Sequence, residues 1–62
     1  MQRPLDIFKF ESDGTVTWKG TADNLEAAKL FVKILMGISP SDYLIFSQET
    51  GERTVVKLKD CA

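Results

Sequence analysis

FKFESDGTVTW, residues 8–18, sets Phe8, Phe10, Val16 and Trp18 on either side of a single turn glycine, Gly14. Side chains alternate along a strand, so a slip of one residue sends a whole strand to the opposite face. The number of residues in this turn therefore decides which rings lie together. A two-residue Asp13-Gly14 turn opposes Lys9 to Trp18 and divides the large side chains between both faces. A three-residue Ser12-Asp13-Gly14 loop is a type I turn closed by a glycine bulge. It opposes Phe10 to Val16 and Phe8 to Trp18, and all of them share one face. Burying each such side chain contributes roughly 1.5–3 kcal/mol, far more than separates the turn types. The three-residue loop is predicted, with these side chains beneath whatever covers the sheet.

The same logic is expected downstream in DYLIFSQETGERTVVKLKD, residues 42–60. A three-residue loop Glu49-Thr50-Gly51 would oppose Leu44 to Val56 and Phe46 to Thr54, with Leu58 further along that face. Between the hairpins, NLEAAKLFVKILM is rich in helix formers. Asp23 is the expected cap, with Glu26 reaching back as in a capping box. Gly37 is the expected stop, and Pro40 forbids continuation. On a helical wheel Ala27, Ala28, Leu30, Phe31, Ile34 and Leu35 form the stripe expected to be buried, leaving Leu25, Val32 and Met36 on the flank.

These elements predict an α+β fold of order ββαββ in a single small domain, 1–62: a four-stranded sheet with one helix packed on one face. Strands are expected at about 5–11, 15–21, 42–48 and 52–59, and the helix at about 24–36. The preferred strand order is 2-1-4-3, with strands 1 and 4 parallel at the centre. The alternative is 2-1-3-4, wholly antiparallel, because strand 3 is very apolar for an edge. In length and element order, and most closely in WKGTADNLEAAKLFVKIL (residues 18–35), the chain resembles the immunoglobulin-binding domains of proteins L and G. That resemblance implies a β-grasp-like topology and is too unspecific in its residues to imply their binding activity.

With this register the uncovered face presents Leu5, Ile7, Tyr43, Ile45 and Val55 as an apolar patch, ringed by Lys9, Lys19, Arg53, Lys57 and Lys59. Those cations are concentrated there although the formal net charge of the chain is only −1. Contiguous exposed apolar patches mark interaction sites, and a bare strand as apolar as YLIF invites pairing. The leading expectation is a non-enzymatic protein-interaction module, homodimeric through the uncovered sheet face or the strand-3 edge, or docking another protein. The alternative is a nucleic-acid-binding protein using the basic face, for which Tyr43 would be the one stacking ring.

No catalytic, cofactor-binding or metal-ligating constellation is legible, and no cofactor or small-molecule substrate is expected. Histidine is absent, and Cys61 is the lone cysteine, so neither a zinc pattern nor an intrachain disulfide exists. Asp42 and Asp60 are expected near one another at strand ends, where solvation accounts for them. No run reaches the roughly 18 apolar residues of a membrane span. Without a signal-like leader the expected location is cytoplasmic.

Overall fold

Residues 4–61 are described in the computed structural model, with side chains through Lys59. The side chains of Asp60 and Cys61 fall outside the described residues, so the Asp42–Asp60 pairing does as well. Strands β1 (Leu5–Phe10), β2 (Val16–Ala22), β3 (Tyr43–Ser47) and β4 (Arg53–Val56) flank one helix, α1 (Leu25–Ile38), and a 3-10 turn follows at Leu58–Cys61. The sheet is wholly antiparallel in order β2-β1-β3-β4. This is the alternative order. The preferred 2-1-4-3 arrangement is overturned, and with it the parallel centre of the β-grasp. The run of apolar residues Tyr43–Phe46 accounts for the choice, since a strand apolar on both faces belongs inside a sheet.

The first hairpin forms as its glycine requires. Glu11 N–H donates to the Thr15 carbonyl at 2.8 Å, Gly14 N–H donates to the Glu11 carbonyl at 3.1 Å, and Gly14 sits at φ +91°. Phe10 pairs with Val16 and Phe8 with Trp18. The second hairpin differs. Ser47 N–H bonds the Glu52 carbonyl and Gly51 N–H the Ser47 carbonyl, so residues 48–51 make a four-residue loop. Hydroxyls stabilise it: Thr50 Oγ1 accepts from Glu52 N–H, and Ser47 Oγ from Thr50 N–H. The pairs become Tyr43–Val56, Leu44–Val55, Ile45–Thr54 and Phe46–Arg53, one residue away from the expected register.

The helix covers the face opposite to the one expected. The core comprises Ile7, Tyr43 and Ile45 from the sheet, Ala22 from β2, and Ala28, Val32 and Met36 from α1, with Leu5, Ala27, Phe31, Leu35 and Val56 packed against it. Trp18 is 58% exposed and Val16 48%. The buried helical stripe is accordingly rotated: Val32 and Met36 are inside, whereas Leu30 and Ile34 face outward at about 60% exposure.

Two local features fit the helix to this face. A register shift against Ile7 and Phe8 leaves Lys19 without a partner, so Trp18 pairs with Phe8 while Gly20 pairs with Ile7. This bulge sends Gly20 and Ala22 to the face opposite Trp18, and these small residues let the helix approach. A Cβ at Gly20 would lie 3.0 Å from the Phe31 ring. Chain chirality also acts: α1 connects β2 and β3, which run parallel, and such crossovers are right-handed in about 98% of cases whatever the apolar content of each face.

Both caps shift from expectation, the first by one residue and the second by two. Asn24, not Asp23, caps the helix, its Oδ1 accepting from Ala27 N–H at 2.8 Å. Ala27 stands at the position where a capping box needs Glu or Gln, so Glu26 contributes only its charge in the first turn. The helix runs through Gly37 to Ile38. It ends at Ser39, because the residue before a proline avoids helical backbone angles. The Ser39 carbonyl accepts from the buried Tyr43 hydroxyl at 2.8 Å, which satisfies the one polar atom that ring brings into the core.

Gly20→Val is expected to destabilise the fold by roughly 1–3 kcal/mol, because Gly20 holds φ +157°, which a β-branched residue rarely adopts, and its side chain would press on the Phe31 ring. Gly37→Ala, whose added Cβ meets nothing within 4 Å, is expected to stabilise by up to about 1 kcal/mol. Urea denaturation of both variants checks the pair.

Candidate interaction face

No helix or strand among the described residues covers the second face of the sheet, and its side chains fall into cross-strand rows. One row is Trp18–Phe8–Leu44–Val55, apolar across all four strands. Beside it runs Thr21–Asp6–Phe46–Arg53. On the other side Val16 and Phe10 form a pair at the end of the first hairpin. Phe8, Phe10, Leu44 and Phe46 are half-buried by one another, while Val55 is 50% exposed. A hollow of about 250 Å³ opens between Phe8, Val16, Leu44, Phe46 and Arg53.

Polar groups are few on this face. Asp6 accepts from Trp18 Nε1 at 3.3 Å and from Gln48 Nε2. The Arg53 guanidinium lies over the Phe46 ring, 5.8 Å from its centroid, a distance at which the ring quadrupole attracts a cation.

Of the residues expected on an uncovered face, Arg53 and Val55 stand there. Ile7, Tyr43 and Ile45 are buried beneath the helix and Leu5 packs against them; they offer no contact surface. Lys9 extends from the helix side of β1 and pairs with Glu11 at 3.5 Å. Lys19 lies in the bulge. Lys57 follows the end of β4 and Lys59 lies in the 3-10 turn, where strand alternation no longer assigns them a face. The patch that sequence reasoning missed consists of Phe8, Phe10, Val16, Trp18, Leu44 and Phe46. Alternation groups those residues correctly and places them on the wrong side. Nor does strand 3 present an edge, since β1 and β4 pair with it on both sides.

Elsewhere, a second hollow of about 240 Å³ lies at the helix N-terminus, with Leu5, Leu25 and Ile45 on its apolar side and Asp23, Glu49 and Glu52 among its acids. Leu30, Ile34 and Ile38 form an exposed stripe on the outer side of the helix. No helix among the described residues is long and apolar enough to cross a membrane. No protein-family model, curated protein or solved structure matches this chain.

The hairpin beside the patch is set by carboxylates. Asp13 Oδ1 accepts from both the hydroxyl and the N–H of Thr15, at 2.7 and 3.0 Å, and these bonds hold its carboxyl below the ordinary value. Glu11 is lowered first by its bond from the Thr17 hydroxyl, at 2.7 Å, and then by the Lys9 charge. A carboxyl depressed in the folded state contributes stability above its unfolded value, and that stability is lost as pH falls through the folded one. The turn is therefore expected to loosen at acidic pH, progressively from the normal carboxylate range downward. Thr15→Val is expected to return Asp13 toward its ordinary titration in a carboxyl-detected NMR titration, with Glu11 unmoved.

Proposed function

We propose that this chain is a non-enzymatic protein-interaction module that works as a homodimer, two copies closing their open sheet faces on each other. The observation that carries this reading is the apolar row Trp18–Phe8–Leu44–Val55, which spans the sheet with nothing over it. Stable domains bury each apolar face against a second layer, and here the helix supplies that layer on one side only. A second copy offers the same chemistry and the same width. Four strands about 4.8 Å apart, with three rows about 7 Å apart, give a flat footprint of roughly 400 Å² before corrugation is counted. Two such faces bury on the order of 800 Å² before corrugation is counted, which places the interface among weak, transient associations, so association in the micromolar range is expected.

A nucleic-acid reading gains something from the exposed rings, since bases stack on aromatic side chains. Its phosphates need cations, however. Arg53 is the one basic residue in the three rows and Asp6 adds an acid among them. Self-association accounts for the face with fewer unmet charges.

Sedimentation velocity over a concentration series tests the homodimer. Wild type is expected to pass from monomer to dimer through the micromolar range. Trp18→Ser combined with Val55→Lys is expected to remain monomeric with an unchanged circular dichroism spectrum, both positions being exposed in the monomer. Ile34→Lys, on the far side of the molecule, is expected to leave dimerisation intact. A strictly monomeric wild type at high micromolar concentration, or a dimer abolished equally by Ile34→Lys, would overturn the reading.

A further inference from the structure

Resting on the homodimeric reading, we propose that the two copies meet about a two-fold axis parallel to the strands, so that Asp6 of each copy engages Arg53 of the other. The order of side chains along each row carries this. Rotation about such an axis reverses the order of the strands while keeping rows in register. The row Thr21–Asp6–Phe46–Arg53 then lies over Arg53–Phe46–Asp6–Thr21 of the second copy. Asp6 comes to lie above the second copy's Phe46, and that is where the Arg53 guanidinium already rests, 5.8 Å from the ring centroid. The central row gains as well: Trp18 faces Val55 and Phe8 faces Leu44, large against small, which is how facing layers interdigitate.

The other in-plane two-fold, perpendicular to the strands, sets the charged row against Phe10 and Val16. It lays Asp6 over Phe10 and Thr21 over Val16, stranding a carboxylate against an apolar ring, an arrangement that desolvation penalises, and it leaves Arg53 with no Asp6 to engage. Asp6 has the capacity for its new partner. It accepts from Trp18 and Gln48, while a carboxylate offers about four lone-pair sites. The pair lies in an outer row of the face, so its principal effect is on orientation rather than affinity.

Charge reversal tests the arrangement. Asp6→Lys alone sets an ammonium against the Arg53 guanidinium twice per dimer, and Arg53→Glu alone places two acids together twice. Each is expected to weaken self-association on the order of tenfold or more. Mixed in equal amounts, the two variants are expected to form a heterodimer, read as a single mixed-mass species by native mass spectrometry. One of its two contacts then joins the unaltered Asp6 and Arg53, and the other joins the two introduced charges in reversed order. The doubly reversed chain, Asp6→Lys with Arg53→Glu, is expected to recover self-association. It also serves as the decisive variant if either single reversal fails to fold. A wild-type dimer whose single reversals associate normally, or are rescued neither by mixing nor by double reversal, would overturn this arrangement and leave the homodimer standing. A monomeric wild type would overturn both.

Discussion

An extra residue in β2, Lys19, lets one strand serve two chemistries. Before it, Trp18 pairs with Phe8 on the open face; after it, Gly20 and Ala22 pair with Ile7 and Leu5 on the helix face. Without that insertion the strand would present Trp18, Gly20 and Ala22 on one side, and the bulky ring would occupy the level at which the helix needs clearance. Phe31 fills the space above Gly20, and Ala28, Val32 and Met36 follow it down onto the sheet. The position of the helix, the composition of the core and the exposure of the aromatic face all depend on this local change of parity.

The division leaves the core modest. Tyr43, Ile7, Ile45 and Val32 are the largest fully buried side chains, while Trp18 and the paired phenylalanines contribute their area to a surface. Domains of about this size sit near the limit of independent stability. An association that binds only the folded form adds to folding stability by mass action. In the proposed dimer, the rings that the helix does not shelter are sheltered by a second copy, and recognition and stability become one quantity.

Much of this was legible in the residues. The ββαββ order, the three-residue Gly14 loop and the pairs Phe10–Val16 and Phe8–Trp18 follow from glycine chemistry and alternation. So do the outward placements of Arg53 and Val55. The side on which the helix lands was not legible, because apolar mass alone does not decide it. Lys19 looks like any strand residue, and only the pairing register of β1 with β2 reveals a bulge there. The second loop is longer by one residue than its glycine suggests, since Ser47 and Thr50 bind its backbone through their hydroxyls. With the helix on the opposite face of β1 and β3, that extra residue is what leaves the faces of β4 as expected. The site residues Leu5, Ile7, Tyr43 and Ile45 are lost to the core because the helix covers their face of β1 and β3.

The strand order bears on how the chain reaches this state. β1 with β2, and β3 with β4, are each hairpins of adjacent sequence; only the β1–β3 seam joins distant segments. Each hairpin can zip by itself within microseconds, and the costly loop closure is confined to one event, the docking of the two ribbons as the helix settles across them. Ile7 and Ile45, paired across that seam and sequestered from water, stand where the two halves of the molecule are joined.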